Sequence, residues 1–358
     1  MMLHMRCLKV RKEDGQITLN LLKKLSLTDL SFQIEQTRAH IIIPLKKYLN
    51  KVQRDALISK LGFFEEVECE AKEMPRRQDP REILIASVPP SHSVHIPRSM
   101  DIVGHIAVLE LPPELVRYGE ALGEAILKVY KNVRTVLMKV GSTTGNYRLK
   151  GYRLLAGKNE TETIHVEYKC RYKLDLRKVY FNPRLSFERD RVARQIRRNE
   201  IVIDMFAGVG PFSILIAKKQ IEVKVYAIDA NPSAFKYLCE NVFLNRVVGR
   251  VKPLQGDARI LVENKLNGEA DRVIMNLPTS SFEYLPSAIK ALKQKGGTIH
   301  LYCFSREPNS TTEALKHLGA AVDKIQGKVV DVINIRHVRS IAPYQWMIGL
   351  DLRVQPQS

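Results

Sequence analysis

Three aspartates that each close an apolar run, with a glycine loop after the first, are the residues of this chain best suited to hold a nucleotide-like ligand. In "IVIDMFAGVGPFS" the run ends at Asp204, and Gly208 and Gly210 permit a tight turn and close backbone approach before a helix begins near Pro211. Phe206, inside that loop, belongs to the same candidate set. In "VYAIDANPSA", Asp229 lies 21 residues after Gly208, where a carboxylate can accept from both hydroxyls of a ribose. In "LQGDAR", Asp257 is placed to accept from an exocyclic amine of adenine. A GxGxxG fingerprint would need a third glycine where Ser213 stands, so a nicotinamide site is incomplete. Each aspartate alone is explained better as the cap of the next helix. Three in succession, with the glycine loop, favour a ligand.

A fourth run, "RVIMNLP", stops at Asn276-Leu277-Pro278, because proline donates nothing to a sheet ladder and restricts the residue before it. Asn276 then faces whatever lies beyond the sheet edge, as a wall for both cofactor and substrate. An ordinary turn asparagine is the alternative.

The elements that position these residues follow from periodicity. Beyond "RDRVARQIRRN", apolar strands alternate with amphipathic helices through "IVIDMFA", "PFSILIAKK", "VKVYAIDA", "SAFKYLCENVFLN", "VKPLQGDA", "DRVIMNLP", "YLPSAIKALKQ" and "GTIHLYCFS". This predicts an α/β, Rossmann-like domain with a parallel sheet whose ligands sit at the carboxyl ends of the strands. Two smaller N-terminal α+β domains precede it. Residues 1–72 combine short apolar runs with one amphipathic stretch, and 73–94, charged and broken by proline, read as a linker. Residues 95–180 read as strands "HIAVLEL", "TVLMKV" and "IHVEYKCRYKLDL" around the helix "LVRYGEALGEAILKVYKNV". The third domain is 181–358.

The chain has 57 Lys and Arg against 38 Asp and Glu, a net charge of +19, which points to a polyanionic partner, nucleic acid before acidic membrane. No apolar run is long enough to span a membrane and no leader pattern opens the chain, so a cytoplasmic protein is expected. The five cysteines, Cys7, Cys69, Cys170, Cys239 and Cys303, form no CxxC pair. Reduced thiols are expected, without disulfide or metal.

An acid, Gly-Gly, acid, acid series on successive strands is typical of S-adenosylmethionine sites, and with "DMFAGVGPFS", "AIDANP", "GDAR" and "NLP" in this order the domain resembles a class I methyltransferase. "FNPRLSFERDRVA", the stretch "YRLKGYRLLAG" upstream and "VRSIAPYQWMIGLDLRV" at the end make the whole chain similar to the archaeal tRNA (guanine-37-N1)-methyltransferases. The resemblance implies S-adenosylmethionine as cofactor and tRNA as partner, with the N-terminal unit reading the outer corner of the tRNA. No obligate protein partner and a monomer are expected. Related enzymes methylate carbon 7 of 4-demethylwyosine or transfer an aminocarboxypropyl group, and both remain alternatives.

Guanine N1 carries a proton at neutral pH, so such a site wants a base near N1, a donor near O6 and groups that hold the flipped base. By resemblance Glu188 is the general base, with partial burial expected to raise its pKa, Arg148 serves O6, and Asn276 completes the catalytic set by offering hydrogen bonds to the guanine edge. Leu277 and Thr279 depart from the (Asn/Asp)-Pro-Pro-aromatic pattern of amino-group methyltransferases, which speaks against an exocyclic amine as target. Tyr180, Asn182 and Arg184 of "YFNPR", together with Pro278, complete the expected substrate contacts, although Tyr180 serves equally as core. The run from Arg194 to Asn199 is either a phosphate contact or a solvated face.

Overall fold

A computed structural model describes residues 2–29, 31–37, 39–72, 80–97, 100–144, 149–323 and 328–356. The chain forms two compact units, Met1–Glu82 and Ile83–Ser358.

In the first unit, β1 (Met2–Arg11), α1 (Gly15–Lys24), β2 (Glu35–Gln36), β3 (His40–Pro44), α2 (Lys51–Leu61) and β4 (Glu65–Lys72) build an antiparallel sheet of order β2-β3-β1-β4. Leu8, Leu22, Ile43 and Leu57 form its core. The start of α2 is set by a capping box in which the Asn50 side chain accepts from the Gln53 N–H and Gln53 Oε1 accepts from the Asn50 N–H. The expectation of reduced thiols fails here, because Cys7 and Cys69 form a disulfide. They stand 62 residues apart, but the β1–β4 register pairs Cys7 with Val67 and Met5 with Cys69, which brings the two Cα atoms to 6.1 Å.

Helical structure begins at α3 (Pro80–Ala86), inside the stretch read as a linker, and Val88 and Ile96 are buried against Leu115 and Leu122. Apolar residues spaced among charges and prolines thus still find a core. The second unit continues with β5 (Asp101–Val103), β6 (Ile106–Leu109), α4 (Gly119–Val129), β7 (Thr135–Thr144) and β8 (Leu149–Gly157), in a sheet of order β5-β6-β7-β8. Gly123 lets α4 lie close on β8, since a Cβ there would sit 2.8 Å from that of Ala156. The run "IHVEYKCRYKLDL" is not one strand. It is a hairpin of β9 (Glu162–Glu167) and β10 (Cys170–Asp175), turned by Tyr168 and Lys169 at φ 47° and 62°.

The rest is α5 (Ser186–Ala193), β11 (Glu200–Asp204), α6 (Pro211–Lys219), β12 (Val223–Asp229), α7 (Pro232–Leu244), β13 (Val251–Gln255), α8 (Ala258–Leu261), β14 (Arg272–Met275), α9 (Ser281–Ala291), β15 (Gly297–Arg306), α10 (Ser310–Val322), β16 (Lys328–Ala342) and β17 (Gln345–Pro356). The sheet order is β13-β12-β11-β14-β15-β17-β16. Five strands are parallel as expected, but β16 and β17 form an antiparallel hairpin at one edge, so the sheet is mixed. The chain runs outward in both directions from β11 and β14, and the resulting crevice is where such sheets bind ligands. No helix among the described residues is long and apolar enough to cross a membrane.

Candidate active site

A pocket opens at that crevice, lined at the strand ends by Phe206 and Gly208 after β11, Asp229 closing β12, and Asn276 and Leu277 after β14. Tyr180, Asn182, Leu185 and Arg189 line the side formed by the segment before α5 and by α5 itself. Asp229 holds the glycine loop, since its Oδ2 accepts from the Gly208 N–H (2.7 Å) and its Oδ1 from the Asn231 N–H (2.9 Å). Burial raises its carboxyl above the usual range against the pull of these two donors. Both oxygens keep lone pairs for a ribose diol. Gly208, at φ 56°, has no atom closer than 3.9 Å to where a Cβ would stand, so its backbone borders open space. Phe206 packs edge-on against Tyr284, with ring centroids 4.9 Å apart, and makes a flat apolar wall.

Asn276 is half-buried, and its side-chain amide has no hydrogen-bond partner among the described residues. Pro278 is buried behind it and does not line the pocket.

Not every expected residue faces the cavity. Asp204 is fully buried and receives the Ser213 hydroxyl at 2.7 Å, so it ties the end of β11 to α6. Its burial, only partly opposed by Ser213, lifts its pKa to about 7. Ser213, which broke the dinucleotide fingerprint, is thus the partner of the first acid. Gly210 stands at φ 90°, where a Cβ would meet Leu238 at 2.6 Å, and serves the start of α6 rather than a ligand. Asp257 also lies outside the lining. It caps α8 by accepting from the Arg259 N–H (2.8 Å) and pairs with the Arg259 guanidinium (2.9 Å), which is the helix-cap reading. Arg148 lies outside the described residues.

Glu188 departs furthest from expectation. It is buried, it does not line the pocket, and its carboxylate accepts from Arg191 (2.8 and 2.9 Å), from the Tyr302 hydroxyl (2.6 Å) and from both Nε and Nη2 of Arg336. Burial pushes its pKa up, but the donors from Arg191, Arg336 and Tyr302 outweigh it and hold the carboxyl below its ordinary value, the reverse of the expected shift. The same arginines grip Asp351, which accepts from the His300 Nδ1 at 2.6 Å, and Arg272 meets the other ring nitrogen at 2.8 Å. Burial keeps His300 below its usual pKa and hence neutral. The sequence reading missed this network, because its members lie on α5, β14, β15, β16 and β17.

Arg184 pairs with Asp101 at 2.5 Å, away from the lining. Asn182 Oδ1 accepts from the Arg184 N–H (3.1 Å) and from Arg339 Nη1 (2.8 Å). Arg339 and the buried Arg189, which donates to Glu167 (2.6 Å) and to the Asn182 carbonyl (2.6 Å), are two further site residues the sequence reading did not single out. Arg194 and Arg198 are exposed and pair with Asp190 and Glu222, as a solvated face would.

Comparison with known proteins places these features in a context. The family model described as the TRM5/TYW2 methyltransferase domain matches residues 163–330, and that of the TYW2 N-terminal domain matches 80–161. The chain is 41% identical over 347 residues to the tRNA (guanine(37)-N(1))-methyltransferase Trm5b of Pyrococcus abyssi, covering 97% of this chain and 98% of that protein. It is 37% identical to the tRNA 4-demethylwyosine(37)-methyltransferase Taw21 of Saccharolobus solfataricus, over 72% of this chain and 94% of that one. Among solved structures, a complex of aTrm5 and tRNALeu matches with a TM-score of 0.67 at 30% identity, covering 97% of this chain and 99% of that one.

Proposed function

The chain belongs to the TRM5/TYW2 methyltransferase family, and on that premise we propose that it transfers the methyl group of S-adenosylmethionine to N1 of guanine 37 in tRNA. The observation that carries this reading is an uncommitted amide, Asn276, on the wall of the same pocket that Asp229 and the glycine loop border. One side of the pocket suits a ribose and an adenine, through Asp229, the open backbone at Gly208 and the Phe206–Tyr284 wall. The other offers a donor and an acceptor to the edge of a base.

The cofactor supplies an electrophilic methyl on a sulfonium, so the protein has to position guanine and remove its N1 proton. Asn276 fixes the base edge, Pro278 backs it, and Tyr180 and Asn182 contact the nucleotide from the side of α5. Glu188 is the proposed acceptor of the N1 proton and Arg148 the donor to O6. Because Glu188 is held ionised with every oxygen engaged, it takes a proton only as Arg336 or Arg191 loosens its grip. Asp204 supports the cofactor side by tying the end of β11 to α6, and Asp257 does so by capping α8.

Similarity to Trm5b over 97% of the chain takes in the first unit, whereas that to Taw21 over 72% cannot span the whole. This favours N1 of guanine over C7 of demethylwyosine. By the same reasoning the first unit reads the outer corner of the tRNA, and the net charge of +19 suits so large a polyanion. The enzyme is proposed to act as a monomer in the cytoplasm. Labelled methyl should enter a tRNA transcript carrying guanine at position 37 and should fail to enter the same transcript with adenine there. Equal incorporation into both would exclude guanine 37 as the target.

A further inference from the structure

The edge strand β16 carries two arginines near the site, Arg336 and Arg339, and their surroundings differ. Arg336 is neutralised by Glu188 and Asp351. Arg339 is half-buried, and its hydrogen-bond partners among the described residues are two neutral oxygens, Asn182 Oδ1 at 2.8 Å and the Ser340 carbonyl at 3.3 Å. The β16–β17 register shifts between His337 and Arg339, an irregularity of the kind that re-aims a side chain out of the regular alternation. The charges around it do not compensate. Arg184 stands beside it, and the one carboxylate acting on it among the described residues, Asp101, already receives Arg184 at 2.5 Å and Lys139 at 3.7 Å. Burial, then the Arg184 charge, push the Arg339 guanidinium below its ordinary pKa.

A desolvated guanidinium next to a second cation is unfavourable unless an anion arrives. Its planar fork matches a phosphodiester with two parallel hydrogen bonds. Its position matches too, because its anchor Asn182 lines the pocket, so the guanidinium sits one side chain from where a base would enter. We propose that Arg339, with Arg184 beside it, binds a backbone phosphate of the RNA strand adjoining the nucleotide inserted in the pocket. This rests on the reading of tRNA as substrate.

The test is Arg339→Gln, which keeps a donor for Asn182 Oδ1 while removing the charge. The KM for a tRNA transcript should rise about tenfold or more, the range of a charge-assisted hydrogen bond. The dependence of log K on log salt should become shallower by about 0.7–0.9, the slope that one neutralised phosphate contributes. Affinity for S-adenosylmethionine should stay that of the wild type. Transcripts with a methylphosphonate at each linkage flanking nucleotide 37 identify the phosphate. One substitution should weaken wild-type binding by the same factor and add nothing in Arg339→Gln. Wild-type affinity and slope in the variant, or effects that multiply, would overturn the clamp. A loss of cofactor affinity instead would assign the anion to the cofactor's carboxylate and also overturn it. If the wild type methylates a different nucleotide, the substrate reading fails, and the salt slope of the variant on that RNA still decides whether Arg339 binds phosphate.

Discussion

Replacing Glu188 by glutamine separates its two roles, anchor and base. The side chain keeps its shape, but one oxygen becomes an amide N–H₂ that faces the donors of Arg191 and Arg336. Removing one partner of a buried ion pair costs about 3–5 kcal/mol. Asp351 still bridges both arginines in the variant, so the lower end, about 3 kcal/mol, is expected here. At about 2–4 °C per kcal/mol for a unit of this size, the melting temperature should fall by about 6–12 °C. Loss of the base should separately slow single-turnover methylation by about 10²–10⁴. Calorimetry and single-turnover kinetics, both on one preparation and the kinetics well below the lowered midpoint, read the two effects apart. The pH dependence has a definite sign. A carboxyl whose folded pKa lies below its unfolded value contributes stability above about pH 4.3, lost as pH falls through the folded value, so the gap between wild type and variant should be level from pH 8 to about 5 and close below about 4. A variant that melts with the wild type would refute the buried network, and one that is destabilised yet reacts at the wild-type rate would make Glu188 an anchor alone.

Asp229→Ala should weaken S-adenosylmethionine binding by about 1.5–3 kcal/mol in calorimetry, the value of hydrogen bonds to a charged group, with tRNA affinity unchanged; wild-type cofactor affinity would remove Asp229 from the site. Asp204→Asn should gain stability relative to the wild type as pH rises from about 4 to 7 and then hold level, because the native carboxyl, with a folded pKa of about 7 against an unfolded value of about 3.9, is penalised across that window. Denaturation midpoints at pH 5 and 8 check this, and a constant difference would contradict it.

How far the sequence showed the site depended on the range of the interactions. The alternation from β11 to β15 and the stops at Asp229 and Asn276 are local patterns, and both residues do border the pocket. Asp204 and Asp257 end strands just as legibly, but each is taken up by its own following helix, through Ser213 and through the Arg259 N–H, and end-of-strand position alone does not separate these outcomes. The β9–β10 hairpin stayed hidden because Tyr168 and Lys169 turn it without glycine or asparagine. The direction of the Glu188 shift was legible only in part, because Arg191 is a local partner three residues on but Arg336 lies 148 residues away, and Arg339 reaches Asn182 across 157. No local signal carries such contacts. The Cys7–Cys69 bridge escaped for the same reason, since strand register, not spacing, brings the sulfurs together.

Mass spectrometry of nucleosides from unmodified tRNA incubated with the full chain and isotopically labelled S-adenosylmethionine tests the central claim most directly. The account predicts labelled 1-methylguanosine, mapped to position 37. Label appearing in a nucleoside bearing an aminocarboxypropyl group, or no label in unmodified tRNA while a parallel reaction on tRNA that already carries 4-demethylwyosine is labelled, would contradict it.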